Sequence, residues 1–155
     1  MKLKGKYSVT LLRDGKIIRK EEGHNLITDE GANAALATLF VNGTQTDIWY
    51  VRLIQSGGMA ASTDTAAQHS NWYEETHYTG DVEWVPNAPS GKTMYSGTQS
   101  SFTFTDDISL YGFFIASATK GTSSGIIWAM VQFASNLDAK TGDTIKIEYG
   151  VDITT

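Results

Sequence analysis

The residues best equipped for chemistry lie between positions 64 and 77. His69 and His77 flank the acidic pair Glu74-Glu75, which places four potential nitrogen and oxygen ligands within nine residues. Such a set suits a zinc or similar ion, but its spacing matches no established ligand motif. Glu74, or Asp106 of the second acidic pair Asp106-Asp107, could act with His69 in hydrolysis. Glycoside hydrolysis needs two carboxyls about 5 to 9 Å apart across a sugar. Neighbours on a strand point to opposite faces, so neither adjacent pair builds that site by itself. Asp106-Asp107 has the character of a turn between strands. The chain carries no Gly-rich phosphate loop with a lysine, no Gly-x-Ser-x-Gly and no His-Glu-x-x-His. The sequence therefore predicts a protein that is not an enzyme and needs no cofactor.

Aromatic residues offer a second kind of chemistry. Trp72, Tyr73 and Trp84, with Trp49-Tyr50, could stack on sugar rings or fill a core or subunit interface. Trp128 lies in an apolar run and reads as core. The stretch His69-Ser70-Asn71-Trp72-Tyr73-Glu74-Glu75 is the most distinctive in the chain. It follows a polar loop at 55–71, and its physical reading is a loop anchored by Trp72 in an apolar slot.

The elements that must position these groups are mostly strands. With 155 residues, 41% hydrophobic, the chain fits one ordinary domain with its own core. It has no cysteine, so neither disulfides nor thiolate sites support it. Residues 6–12 and 16–20 read as a hairpin around Asp14-Gly15, a pair that tolerates the positive φ of a type I′ turn. Thr28 or Asp29 caps one short helix over about 29–41, with Leu36, Leu39 and Phe40 on one face and a stop at Asn42-Gly43. Strands follow at 48–54, 78–85, 101–105, 108–118, 126–133 and 143–153, the last with Ile145, Ile147, Tyr149, Val151 and Ile153 on one face. Pro86 to Gly91 is a turn, and Gly121 to Gly125 a flexible connection. The expectation is a mainly β chain of about eight strands and one helix: an antiparallel β-sandwich, jelly-roll-like, in a single domain.

Charge is unevenly distributed. Residues 1–22 carry seven Lys/Arg against three Asp/Glu, whereas residues 23–155 carry five against fourteen, for a net −5. An acidic body argues against nucleic acid as partner. No run approaches the roughly 18 apolar residues that cross a bilayer, and no apolar segment follows the basic start, so the expected place of synthesis is a cytoplasm. The basic hairpin is either a solvated face or, through Lys16, Arg19 and Lys20, a docking element for an acidic protein surface.

Several short motifs occur in a telling order. Asn25-Leu26-Ile27-Thr28-Asp29-Glu30-Gly31 leads into the Ala/Leu helix, and Trp49-Tyr50 with Leu53-Ile54 follows. Then come Asp64-Thr65, the His-x-x-Trp-x-Glu run at 69–74, and Gly142-Asp143-Thr144 before the closing strand. This order resembles a family of small virion structural proteins of tailed bacteriophages. The resemblance covers most of the chain, and its most specific part is His69, Trp72 and Glu74. It implies a head decoration, or cement, protein on the capsid exterior, homo-oligomeric as dimer or trimer, partnered by the major capsid protein. His69, Trp72 and Tyr73 are then candidate capsid or subunit contacts beside the basic hairpin. The alternative is a phage tail or neck protein that binds a receptor or carbohydrate through Trp72, Tyr73 and Trp84.

Overall fold

The computed structural model describes residues 2–58, 60–69 and 72–154. In chain order the elements are β1 (Lys2–Arg13), β2 (Lys16–His24), β3 (Leu26–Ile27), α1 (Asp29–Phe40), β4 (Trp49–Gly57) and β5 (Trp72–Glu75). They continue with β6 (Val82–Trp84), β7 (Thr93–Tyr95), β8 (Ser100–Thr103), β9 (Ile108–Ala116), β10 (Ile127–Ala139) and β11 (Thr144–Thr154). One antiparallel sheet runs β2-β1-β11-β7, with β8 also on β11. The other runs β3-β10-β9-β4-β5, with β6 also on β4. The two pack into a β-sandwich, as the sequence leads one to expect.

Alternation builds the layer between the sheets. Tyr7, Val9 and Leu11 of β1 point inward beside Ile145, Ile147 and Tyr149 of β11. They meet Leu53, Phe113, Ile115 and Val131 from the second sheet. That second sheet is buried on its other face too. Phe114, Ala116, Ile127 and Met130 form a smaller cluster closed by Trp72 and Ala66. A sheet covered on both sides uses continuous apolar runs instead of alternation, which accounts for the sequences of β9 and β10.

Local chemistry fixes the ends. Asp14 and Gly15 both take positive φ (50° and 74°), the type I′ geometry of the β1–β2 hairpin. Thr28 caps α1 by accepting a hydrogen bond from the Gly31 amide at 3.0 Å, and Asn42 ends it in the left-handed region. The strand over 78–85 shrinks to β6, because Tyr78 makes only an isolated bridge to Phe104 before the Thr79-Gly80 turn. The eleven strands among the described residues exceed the expected eight because β3, β5 and β7, with only two to four residues each, are not among those the sequence predicts. Such lengths carry no readable periodicity.

A two-pronged ion pair ties the hairpin to the start of the closing strand. Arg13 donates to both carboxylate oxygens of Asp143 at 3.0 and 2.9 Å, and the carboxylate is buried. The guanidinium holds Asp143 below the usual carboxylate range. A depressed folded-state value contributes stability above the unfolded pKa and loses it as pH falls through the folded one. The melting temperature should therefore fall below about pH 4, and Asp143→Asn should remove part of that acid dependence, the rest belonging to Glu21, Asp107 and Asp152, which are also held low. A thermal melt series across pH 2–7 checks this; an unchanged profile for the variant would assign the acid arm elsewhere.

Candidate functional site

The hairpin residues singled out by charge divide in two. Lys16 lies at the exposed tip beside Ile17 and Ile18, and Lys20 is exposed with Glu22 3.4 Å away. Arg19 instead turns across to the other sheet. It donates to the carbonyls of Asn136 (2.6 Å) and Ser135 (3.0 Å), and to Glu21 (2.7 Å). The β9–β10 register slips between Gln132 and Leu137, leaving backbone groups there without a strand partner. Arg19 and Glu21 supply those partners, since Glu21 also accepts from the Ala134 amide (3.0 Å) and the Tyr7 hydroxyl (2.7 Å). Burial pushes the Glu21 carboxyl up, but its donors outweigh that and hold it below its ordinary value. Arg19 is thus a brace between sheets, and Lys16 and Lys20 are the cations the tip presents.

His69, Trp72 and Tyr73 lie at the far edge of the second sheet, on and beside β5. The hairpin, by contrast, braces against β10 near its opposite edge. Trp72 is buried on Phe114, with ring centroids 5.0 Å apart, and its indole N–H donates to Asp64 at 3.0 Å. His69 stacks flat on the indole at 3.7 Å and bonds the Trp72 carbonyl through Nδ1. Asp64 also accepts from the Ala61 amide at 2.9 Å. The Asp64, His69 and Trp72 constellation therefore closes a loop over the sheet, the anchoring that the sequence suggests. Ser70 and Asn71 of the same run lie outside the described residues. Tyr73, pointing the other way, is exposed.

The acidic residues are held as firmly. Glu74 accepts a two-pronged contact from Arg52, at 2.7 and 2.6 Å, and the Gly121 amide at 3.0 Å. Glu75 faces the interior, as strand alternation demands. One of its oxygens accepts from the His77 backbone amide (2.6 Å) and pairs with His77 Nδ1 (2.7 Å). Asp106 is exposed in the turn before β9. His69, His77, Glu74 and Glu75 are thus each engaged locally, and Asp106 stands apart from them. Among the described residues, no cluster of three or more His, Asp or Glu side chains is arranged to hold a metal ion, and no helix is long and apolar enough to cross a membrane.

The open surface with most character is apolar and surrounds α1. Only the first turn of α1 is seated. Its Gly31 touches the Trp128 backbone so closely that an added Cβ would sit 2.5 Å from the Trp128 carbonyl oxygen. The Glu30 carboxylate accepts from the Ile127 amide at 2.9 Å, and the Asp29 amide donates to the Ser62 carbonyl at 2.8 Å. Beyond that turn the apolar stripe faces outward: Leu39 is 69% and Phe40 75% exposed, with Leu36 and Val41 also open. Between α1 and the sandwich runs a groove of about 720 Å³, whose apolar lining includes Leu36, Trp49, Trp84, Met94, Trp128 and Val151. A second recess of about 270 Å³, of mixed polarity, adjoins the groove over Thr38, Thr46 and Trp49.

No family model matches the chain, and no curated protein or solved structure matches it. The site must be argued from its own residues.

The aromatic set divides on burial. Trp72 and Trp84 are buried, and the Trp84 indole N–H is bonded to Ser96 Oγ (3.1 Å) and the Tyr149 carbonyl (3.2 Å). Neither offers a face to a sugar. Trp128, read from sequence as core, is half-buried at the groove, 6.4 Å from Trp49 and tilted 61° to it. Its indole N–H donates to the Tyr149 hydroxyl at 3.1 Å. Periodicity places Leu36, Leu39 and Phe40 on one face of α1, and in the structure all three are exposed.

Proposed function

We propose that this chain is a structural assembly protein, a head decoration protein of a tailed bacteriophage that binds the capsid exterior and ties neighbouring major capsid protein subunits. The observation that carries the assembly reading is the outward apolar face of α1 with the groove beside it. Exposed contiguous apolar surface of this kind marks an interaction site. The phage and capsid assignment is supported by the motif order at Asn25–Gly31, Asp64-Thr65 and His69–Glu74. Thr28 of the first motif caps the helix and Asp64, His69 and Trp72 lock the loop, while Tyr73 in the same run stays exposed for contact.

The hairpin tip is the capsid-facing candidate. Lys16 and Lys20 present positive charge beside Ile17 and Ile18, on a body that is otherwise acidic. Reversing Lys16 and Lys20 to Glu, with Arg19 untouched, should slow attachment to undecorated particles roughly tenfold at low salt and flatten its salt dependence. Attachment kinetics at two ionic strengths test this; unchanged kinetics at low salt would remove the tip from the docking face. Arg19→Glu would be a poor test, since it breaks the brace to β10.

The broader role is tested by the copy number of this chain in purified particles of its source virus, by quantitative mass spectrometry. Hundreds of copies in simple ratio to the major capsid protein are expected. A handful would move it to the tail or neck, and none would end the virion assignment.

A further inference from the structure

We infer that the α1 face is where a second copy of this chain binds, with the outward stripe of one α1 seated in the groove beside the other. This names the partner for the surface on which the assembly role rests.

The first ground is shape. The same face carries both a projection and the recesses to receive one. Phe40 and Val41 project at the C-terminal end of α1, Leu39 stands exposed at the lip of the apolar groove, and a smaller recess of mixed polarity adjoins that groove. A helix lying beside a groove can pack against its own copy as ridges fill grooves in ordinary helix pairs. A surface with both halves of the contact is self-complementary, which a two-fold interface requires.

The second ground is charge. The rim of the larger groove carries Lys2 and Lys92 on the sandwich side and Asp29 at the start of α1. Among the described residues none of these three makes an ion pair. A strongly acidic or basic partner is selected by a rim of one sign. A rim with both signs on opposite sides matches itself after a two-fold rotation, which brings each lysine side toward the other copy's Asp29. The lining between them is almost wholly apolar, so contact there opposes no like charges even though each chain carries net −5.

The third ground is the helix itself. A twelve-residue helix is marginal in isolation, and among the described residues α1 is fixed to its own domain chiefly through its first turn. A second copy would bury the stripe that this domain leaves in water.

The test is sedimentation velocity of the full chain across a wide concentration range, with Leu39→Asp and Phe40→Ser as variants. Both sites are exposed, so circular dichroism should match wild type, and melting should match at concentrations low enough to leave wild type monomeric. Wild type is expected to associate, and each variant to sediment as a monomer at concentrations where wild type is fully assembled. A second measurement uses the absence of cysteine. Thr38→Cys, on the exposed flank of α1, should give a cross-linked dimer on mild oxidation, whereas Lys16→Cys should not. A wild-type chain that stays monomeric at high concentration overturns the inference, as does association untouched by both α1 variants. Particle attachment is read separately. A monomeric chain that still decorates particles would overturn this interface and leave the capsid role standing. A Leu39-dependent dimer absent from particles would do the reverse.

Discussion

Replacing Arg52 with methionine is expected to destabilise the fold by about 3–5 kcal/mol, the cost of stranding one member of a buried ion pair. Arg52 is an unusual residue for the middle of β4, where its side chain is only 3% exposed. It holds Glu74 with two short contacts and donates to the Thr122 carbonyl at 2.8 Å. Its guanidinium lies 4.8 Å from the centre of the Phe114 ring. One side chain therefore ties β4 to β5 and to the loop between β9 and β10. Methionine keeps the apolar stem but leaves Glu74 with a charge in a site that solvent barely reaches. A domain of this size has roughly 5–15 kcal/mol of total stability, so this one change removes a large share. Arg52→Met with Glu74→Leu should recover most of the loss, because an apolar pair of similar volume is often neutral or stabilising in such a place. Urea unfolding followed by tryptophan fluorescence, arranged as a double-mutant cycle, measures both numbers. A single variant within about 1 kcal/mol of wild type would show that water reaches Glu74 and that the pair is a surface contact.

Arg52 also illustrates what the sequence could and could not convey. Residues 48–54 read as a strand with apolar residues on both faces, which is what a sheet covered on both sides requires. Nothing local pairs Arg52 with Glu74, because the pair forms only once β4 and β5 take a register in which Ile54 faces Glu74. The hairpin turn, the Thr28 cap and the alternation of β11 were legible because each is decided by residues within a few positions of one another. Arg19 misled for the opposite reason. Its charge is local information, but its role depends on a bulge more than a hundred residues away. The α1 face sits between these cases: its periodicity was plain, and its direction was not. An amphipathic helix has an apolar side whether it covers its own core or another molecule, and only the position of Trp128 and the open groove separates the two.

The aromatic run gives the second large effect. Trp72→Ala is expected to cost about 3–5 kcal/mol, the range for deleting a large buried aromatic. The loss reaches beyond volume, because the indole is the hub of the loop that covers the second sheet. Phe114 packs against it, Asp64 accepts its N–H, and His69 stacks on its other face. Trp72→Phe separates these contributions. It keeps an apolar ring on Phe114 but leaves buried Asp64 short of a donor, a cost of about 1–3 kcal/mol. Hydrogen exchange should then show lost protection at the Ala61 and Gln68 amides in both variants, with the β1–β11 ladder protected as before in the phenylalanine form. The same experiment separates the readings of the His-x-x-Trp-x-Glu run. A tryptophan kept for stacking on a sugar would be dispensable for stability, and its loss would appear only in binding. A tryptophan kept to close a loop must weaken the fold when it is removed. If Trp72→Ala melts with wild type, Trp72 is not the anchor of that loop, and the run has to be explained by what it contacts outside the domain.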